Sequence, residues 1–450
     1  MSGPVLSNSD VATQLHAALR PLDIVPMDEE LKEEPTVGRM RRYRRGGVAD
    51  EVGVVTLLDI DGVLVWADGA VTASSTLRRR SAGRASVVDG NVVTQLKYSK
   101  QLGANRIGER LRRLDATLTP LAERQPDTLS GWRLIEYDAK TWAPMLDAKV
   151  KPKGKILLFV HGTFSSTTKL VEDLQATPEG KAFLAKVDKA GYDQILGFDH
   201  YTLSRTPYVN AVQLARQFAG SDADLDIVCH SRGGLVVRWF CEVLDRKADR
   251  TRRVVFVGCP LRGTSLADPQ SIRHGLNLMT NVGKILGEAG SLVPFLTASA
   301  GLVQIISSVG GFVAASPAID AGISLVPGIS AMSRIQNNAE LDSLNDPERE
   351  GSTGYFAVAS SFKTEDAGWQ FWRLFNKLKG AEAAADYLVF EQDNDLVVDT
   401  ESMTYNAFGP QPNLADVKLF CRFSDDPRVH HTTYFRDGRT LDFLGHSFAL

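Results

Sequence analysis

The pattern of hydrophobic positions changes near Lys155. Beyond that residue, short continuous apolar runs such as Ile156–Val160 have the composition of strands that are buried on both faces. Segments with helical periodicity lie between these runs. The predicted order is strand 156–160, helix 179–190, strand 195–198, helix 209–218, strand 225–229 and strand 254–258. Strands that alternate with helices at this spacing predict a mostly parallel, doubly wound sheet.

The first 150 residues have a different texture. Residues 1–45 are polar, with an acidic run followed by an arginine cluster, and they predict a flexible N-terminal segment. Residues 46–150 predict a smaller β-rich domain, in which the apolar runs 52–58 and 63–66 flank a turn. Residues 151–450 then form the main domain, so two domains are expected.

A serine stands at the junction of a predicted strand and a predicted helix. The segment Cys229–Gly233 (CHSRG) ends the apolar run, and helical periodicity starts directly after it. It is close to the G-x-S-x-G nucleophile elbow, with Cys229 in place of the first glycine. A tight turn there exposes Oγ of Ser231, and the following helix N-terminus stabilises negative charge. A five-residue pattern of this kind also occurs by chance, so its weight depends on the rest of the chain.

Composition narrows the function classes. The 450-residue chain has a net charge of -3, 43% hydrophobic residues and 23% charged residues, which describes an ordinary globular protein and gives no field for nucleic-acid binding. Its four cysteines are scattered without a C-x-x-C pair, which favours buried thiols in a reducing compartment. The first ten residues lack the basic and apolar regions of a signal peptide. We therefore expect a cytoplasmic protein.

Four segments together resemble the α/β-hydrolase superfamily on its lipase and esterase side. They are His161–Thr163, Cys229–Gly233, Gly258–Ala267 and Pro327–Met332. Their order along residues 155–450 is similar to that in intracellular serine hydrolases of the inositol-deacylase type. The resemblance implies an α/β-hydrolase fold with a helical cap inserted at about residues 265–345. The first 150 residues have no such match.

The resemblance also implies a catalytic triad in the chain order serine, acid, histidine. A serine hydroxyl needs a base to become a nucleophile, and the base needs an orienting acid. Ser231 matches the nucleophile, Asp395 the acid and His431 the base, the last within an H-x-x-Y-F pattern. The alternatives that the sequence leaves open are Asp393 and Asp399 for the acid and His430 and His446 for the base.

The oxyanion hole of this fold uses two backbone N–H groups, one from the loop after an early strand and one directly after the nucleophile. The matching residues are Thr163 and Arg232. The preceding His161-Gly162 pair allows a close approach of the backbone. Because the mechanism relies on side chains and backbone amides alone, neither a metal nor a cofactor is expected.

The insert after Thr264 is unusually apolar. Residues 289–319 contain no charged side chain, and a segment of this length could span a membrane. Pro294, Pro317 and several glycines favour short packed helices instead. In this fold an insert here covers the acyl pocket. We therefore expect cap helices, with a membrane-surface lid as the alternative. An apolar cap favours a substrate with an acyl chain.

The sequence predicts a serine hydrolase that cleaves carboxylic esters with a hydrophobic or lipid-like acyl group through an acyl-enzyme. The expected partners are a small-molecule or lipid ester and, through the cap, a membrane surface, but not nucleic acid. Two alternatives remain open. One is a catalytically silent binding or scaffold protein with the α/β-hydrolase fold. The other is a phosphatase, because residues 57–64, with Asp59 and Asp61, resemble the first motif of haloacid-dehalogenase-type phosphatases.

Overall fold

The computed structural model divides the chain into two compact units. The first unit comprises Met1–Thr117, Ile272–Leu325 and Asp366–Tyr387, and the second comprises Leu118–Ser271, Val326–Glu365 and Leu388–Leu450. The structure describes residues 7–30, 52–60, 63–68, 70, 77–81, 84–88, 91–99, 104–119, 131–245, 247, 250–267, 276, 280–281, 289–310, 325–334, 338–345, 353–362, 393–405, 420–424, 426 and 428–450.

The first unit is built around a small antiparallel sheet. Its elements up to residue 118 are α1 (Asn8–Leu19), β1 (Val25–Pro26), β2 (Val52–Ile60), β3 (Val63–Asp68), β4 (Leu77–Ser81), β5 (Arg84–Val88), β6 (Asn91–Ser99) and α2 (Ala104–Leu118). Strands β1, β6, β2 and β3 form the sheet in that order, and β4 pairs with β5 separately. A capping box formed by Ser7 and Asp10 starts α1.

Strands β2 and β3 pair in the antiparallel hairpin that the apolar pattern predicts. Asp59 lies on β2, which is antiparallel to both of its neighbours, and accepts a hydrogen bond from Asn8 Nδ2 at 3.0 Å. A phosphatase of the haloacid-dehalogenase type needs this motif on a parallel sheet. The arrangement therefore contradicts the phosphatase alternative. The second aspartate of that hypothesis, Asp61, lies outside the described residues.

The long apolar helix of the insert belongs to the first unit. The helix Ala289–Gly310 packs against α1 and β2, and its residues 296–306 are all buried. The sequence led us to expect a cap of the hydrolase domain over residues 265–345. Residues 272–325 cluster with the N-terminal region, where the packing against α1 and β2 covers more than one face of this apolar helix. Within the described residues, no helix has the length and hydropathy of a membrane-spanning segment.

The second unit contains an eight-stranded sheet. Its strands are β7 (Trp132–Tyr137), β8 (Pro144–Leu146), β9 (Lys155–Val160), β10 (Gln194–His200), β11 (Asp224–His230), β12 (Arg252–Val257), β13 (Gly354–Ser361) and β14 (Phe420–Ser424). The order across the sheet is β14, β13, β12, β11, β9, β10, β7, β8. The first six strands in that order are parallel to one another, β7 is antiparallel to β10, and β8 is antiparallel to β7. This mostly parallel sheet confirms the predicted α/β-hydrolase fold.

The second unit starts earlier than the expected boundary near residue 150. Strand β7 pairs with β10 over five residues, and β8 extends the same sheet by pairing with β7. Residues 131–146 therefore belong to the sheet of the hydrolase fold. The hydrophobic pattern did not assign these strands to the large sheet, because antiparallel edge strands have the same alternation of apolar and polar residues as the strands of the first unit.

Helices cover the second sheet. They are α3 (Thr167–Gln175), α4 (Pro178–Lys189), α5 (Pro207–Phe218), α6 (Gly233–Arg238), α7 (Pro327–Ser330), α8 (Ala339–Leu344), α9 (Thr400–Met403) and α10 (Gly438–Phe448). A π-helical turn, Trp239–Leu244, extends α6. The side chains of Ser166, Thr177 and Thr206 cap α3, α4 and α5 by accepting a backbone N–H three residues on. Helices α4 and α5 confirm the two that periodicity predicts.

The chain order of the sheet reverses at β9. After β9 the chain passes to β10 on one side and then returns to β11 on the other side. The carboxyl ends of β9 and β11 therefore flank the point where ligands bind in open α/β sheets. The segments that follow these two strands begin with His161 and Ser231, which are residues of the motifs described above.

Candidate active site

Ser231 lies on a strained turn between β11 and α6. Its φ is 53°, in the left-handed region that side-chain-bearing residues rarely adopt. Two glycines leave room for this turn. A Cβ on Gly233 would lie 2.6 Å from the backbone oxygen of Val160, and one on Gly234 would lie 2.6 Å from Cys259 Sγ. The elbow geometry therefore depends on both glycines.

Cys229 occupies the position where the elbow pattern has its first glycine. Its side chain is fully buried, and Sγ lies 3.5 Å from the backbone oxygen of Val255 on the neighbouring strand. Cys229 is still inside the regular pairing of β11 with β12, so its backbone does not need the conformational freedom of glycine. The strained backbone begins only at Ser231.

Ser231, His431 and Asp395 form a continuous hydrogen-bonded chain. Ser231 Oγ lies 2.9 Å from His431 Nε2, and His431 Nδ1 lies 2.8 Å from Asp395 Oδ2. The exposed fractions are 5% for the serine, 7% for the histidine and 0% for the aspartate. The carboxylate can only accept, so Nδ1 carries the imidazole proton and Nε2 accepts the serine hydroxyl proton.

Of the three candidate acids, Asp395 is the one in contact with the histidine. Asp399 is equally buried, but its carboxylate accepts hydrogen bonds from the backbone and hydroxyl of Ser265. The Asp393 side chain is half exposed and lies 4.0 Å from Arg422. The structure therefore separates three aspartates that the sequence could not distinguish.

The other candidate bases lie apart from Ser231 Oγ. His430 is nearly buried, and burial lowers its pKa to about 4. His446 lies in α10, with Nδ1 2.7 Å from the backbone oxygen of Asp442. Neither replaces His431 as the partner of the serine hydroxyl.

Thr163 and Arg232 have their backbones next to the serine. A Cβ on Gly162 would lie 2.6 Å from Ser231 Cβ, so the loop that carries Thr163 approaches the serine as closely as a backbone can. His161 Nδ1 lies 2.7 Å from the Gly162 oxygen, which fixes the peptide whose other end is the Thr163 N–H. Arg232 follows the serine directly and is the N-cap residue of α6.

Two residues around His431 were missed by sequence reasoning. The Tyr434 hydroxyl donates to Asp395 Oδ2 at 2.9 Å, and His230 Nε2 lies 2.8 Å from the backbone oxygen of His431. Burial lowers the pKa of His230 to about 3, so this imidazole is neutral. The tyrosine of the H-x-x-Y-F pattern and the histidine before the serine were the available signals, but a pattern gives spacing and not the contact partner.

The described residues offer no metal site. No group of three or more His, Cys, Asp or Glu side chains among them is arranged to hold a metal ion. The histidines around the serine make hydrogen bonds to protein groups instead: His161 to Gly162, and His230 to the backbone of His431.

Solved structures of distant similarity include several hydrolases. Lipase BlEst2 from Bacillus licheniformis in its mature form is 14% identical, over 67% of this chain and 92% of that chain, with a TM-score of 0.37. Lipase 1 from Pelosinus fermentans is 14% identical, over 62% and 92%, with a TM-score of 0.34. An epoxide hydrolase of the alpha/beta hydrolases superfamily from metagenomes of hot environments is 11% identical, over 70% and 98%, with a TM-score of 0.34. No activity is transferred from likenesses this distant.

One family of sequences matches this chain. A search of the curated proteins finds no match. A family model described as "Domain of unknown function (DUF7379)" matches residues 124–449. This match starts just before β7 and covers the whole sheet of the second unit, and it also includes the candidate site. The chain therefore belongs to the family described as Domain of unknown function (DUF7379).

Proposed function

We propose that this protein is a serine hydrolase that cleaves carboxylic esters through an acyl-enzyme. The observation that carries the proposal is the chain of hydrogen bonds from Ser231 Oγ through His431 to Asp395, at 2.9 and 2.8 Å. These distances are those of a nucleophile in contact with its base and of a base in contact with its orienting acid. The strained turn at Ser231 adds support, because it aims Oγ away from the sheet.

In the proposed reaction, Ser231 Oγ attacks the ester carbonyl carbon while its proton passes to His431 Nε2. The tetrahedral intermediate collapses, the bond to the alcohol oxygen breaks, and His431 returns the proton to that oxygen. Water then attacks the acyl-enzyme and gives one proton to His431. The acyl group leaves as a carboxylic acid, and the proton returns to Ser231 Oγ. Asp395 keeps the imidazole in one tautomer and stabilises its charged form throughout.

The developing oxyanion is stabilised by backbone amides. We assign this role to the N–H groups of Thr163 and Arg232, which belong to the two segments that flank Ser231. The hydrogen bond between His161 and the Gly162 oxygen supports the assignment, since it orients the peptide that contains the Thr163 N–H. Preorganised donors of this kind are each worth about 2.7–4 kcal/mol in the transition state.

The proposed substrate is a small-molecule or lipid ester with a hydrophobic acyl group. The support is local: Met332 Sδ lies 3.8 Å from Thr163 Oγ1, so an apolar side chain borders the segment that carries the proposed oxyanion donor. Pockets that take such ligands are lined mainly by apolar side chains, with a few polar groups at the reacting atoms.

The test is covalent labelling with a fluorophosphonate, which reacts with an activated serine. We expect the wild type to label and Ser231→Ala and His431→Ala to lose labelling by at least about 1,000-fold. His430→Ala is the matched control, because it removes the adjacent buried imidazole and should label within a few-fold of wild type. A folded wild type that does not label, also with detergent present, would contradict the proposal and favour a binding role.

A further inference from the structure

Two donors from one segment share a single oxygen of the candidate acid. His431 Nδ1 lies 2.8 Å and the Tyr434 hydroxyl 2.9 Å from Asp395 Oδ2. The other carboxylate oxygen, Oδ1, accepts the backbone N–H groups of Val397 at 3.1 Å and Val398 at 2.8 Å. Four donors therefore fill the roughly four acceptor positions of the carboxylate. Asp395 and Tyr434 are both fully buried.

The Tyr434 hydroxyl keeps the proton that it donates to Asp395. Burial, together with the charge of Asp395, raises the pKa of its hydroxyl well above the ordinary value. The phenol therefore stays protonated at neutral pH. Its ring fits closely against the backbone, because a Cβ on Gly258, whose φ is +57°, would lie 2.7 Å from Tyr434 Cε2. The same Cβ would lie 3.2 Å from Asp395 Oδ2, so a glycine is needed under this pair.

We propose that Tyr434 is a positioning residue that sets the strength of the candidate base by donating to the same carboxylate oxygen as His431. This inference rests on the proposed hydrolase function. A charge-assisted O–H···O⁻ bond draws negative charge on Oδ2 toward the phenol. Less of that charge then acts on the imidazole, and its protonated form is stabilised less. Tyr434 also holds the carboxylate in the orientation that presents Oδ2 to Nδ1.

The two histidines next to His431 do not contribute to the pH dependence of activity above pH 5. His230 lies with its ring centroid 4.8 Å away, His430 precedes it in the chain, and burial lowers the pKa values of these two imidazoles to about 3 and about 4. Both are therefore neutral above pH 5. Within the described residues, the other groups near these imidazoles are Asp395, Ser231, the Tyr434 phenol, the Cys259 thiol next to that phenol, Arg436, whose charge acts on His430, and His161, which acts on His230 and whose own pKa is lowered by burial. Because His230 and His430 stay neutral above pH 5, we assign the acidic limb of activity to His431.

The experiment is the pH dependence of the fluorophosphonate labelling rate for the wild type and Tyr434→Phe. Removal of the hydroxyl concentrates the charge of Asp395 on His431, so the imidazole holds its proton to higher pH. We expect the midpoint of the acidic limb to rise by about half to one pH unit. A proton NMR spectrum of the His431 Nδ1–H resonance gives a second readout that does not need activity, and this signal should move downfield in the variant.

Two control variants separate this role from packing. Tyr355→Phe removes another hydroxyl that donates to a carboxylate, Glu242 Oε1 at 2.9 Å, and should leave the midpoint unchanged. Met403→Leu removes the sulfur 3.5 Å from the Tyr434 hydroxyl while the bond to Asp395 stays, and it should also leave the midpoint unchanged. Should Tyr434→Phe fold poorly, 3-fluorotyrosine at position 434 keeps the shape and donates more strongly, so it should lower the midpoint.

The outcomes distinguish this inference from the proposed function. A wild type that labels, together with a folded Tyr434→Phe variant whose midpoint and Nδ1–H signal are unchanged, would overturn the role of Tyr434 and leave the hydrolase proposal intact. A shift of equal size in Tyr355→Phe would also overturn it. A wild type that does not label would instead count against the hydrolase function itself, while the NMR comparison would still test the hydrogen bond.

Discussion

Several residues of the candidate site have a strained backbone. Seven non-glycine residues in the described part of the chain have positive φ, and three of them lie in the candidate site. These are Ser231 itself, Phe164 next to Thr163, and Leu396 next to Asp395. Such a conformation costs on the order of 1–3 kcal/mol per residue. The proposed nucleophile, the proposed acid and one proposed oxyanion donor therefore each lie at or next to a strained residue, which the surrounding fold must stabilise.

Gly162 gives the sharpest prediction at this scale. In Gly162→Ala the new Cβ would lie 2.6 Å from Ser231 Cβ, a distance that forces the serine or the loop to move. We expect the labelling rate to fall about 100-fold, as for the loss of one oxyanion donor. Labelling rates at equal protein folding, verified by circular dichroism, provide the measurement.

Gly220→Ala is the matched control for this substitution. Its Cβ would meet no heavy atom within 4 Å, so the rate should stay near that of the wild type. Equal rates for Gly162→Ala and the wild type would show that the loop is not in tight contact with the serine.

Which site residues could be predicted depends on how local their requirements are. The sequence led to the elbow because a tight turn needs glycines at adjacent positions, and to Asp395 and His431 because each has the place in the chain order that the resemblance implies. The contacts of Tyr434 and His230 could not be predicted. Their partners lie 39 and 201 residues away in the chain, and no local pattern encodes such a pairing.

At the scale of elements, an asparagine side chain closes the edge of the small sheet. Asn281 Oδ1 accepts the N–H of Leu64 at 2.8 Å, and Nδ2 donates to the oxygen of the same residue at 2.7 Å. The amide therefore replaces a neighbouring strand on β3. Unpaired strand edges promote aggregation, and a buried edge with unsatisfied groups is costly.

Asn281→Ala should destabilise the first unit. It removes both hydrogen bonds and leaves two buried backbone groups without these partners, which costs about 1–3 kcal/mol. Urea denaturation followed by tryptophan fluorescence is a suitable measurement, because Trp66 lies on the same strand. Asn8→Ala, which removes a single half-buried hydrogen bond to Asp59, should cost less, and an equal or smaller loss for Asn281→Ala would contradict the edge-closing role.

The elements of the large sheet differ in how well the sequence predicts them. Strands β9 to β12 are buried on both faces, so their composition alone distinguishes them. The sequence also shows the helix Ala289–Gly310 as an apolar segment, but it does not show which elements the helix packs against. Its neighbours α1 and β2 come more than 200 residues earlier, and hydrophobicity does not specify which apolar surface covers it.

At the scale of the whole molecule, buried neutral histidines make stability depend on pH. Burial lowers the pKa values of His161, His200, His230 and His430 below the ordinary value of 6.5. Between pH 6.5 and the lowered pKa of each histidine, the unfolded chain binds a proton at that position that the folded chain does not. Acid therefore favours the unfolded state, by up to about 1.4 kcal/mol per pH unit for each histidine.

We therefore expect the free energy of unfolding to fall steeply between pH 7 and pH 5. Denaturant titrations at pH 7, 6 and 5 provide the measurement. His430→Gln removes one titrating group, so its stability should depend less on pH than that of the wild type. A free energy of unfolding that is constant over this range would show that these imidazoles are not buried in the neutral form.

The first unit consists of three segments of the chain that are synthesised at different times. Its N-terminal segment ends at Thr117, whereas the segment that contains the helix Ala289–Gly310 begins at Ile272. About 150 residues of the second unit are translated in between, which takes on the order of ten seconds or more at about 5–20 residues per second. Leu15 and the other core residues of α1 leave the ribosome without their partner helix. The first unit can therefore close only after much of the second has been made.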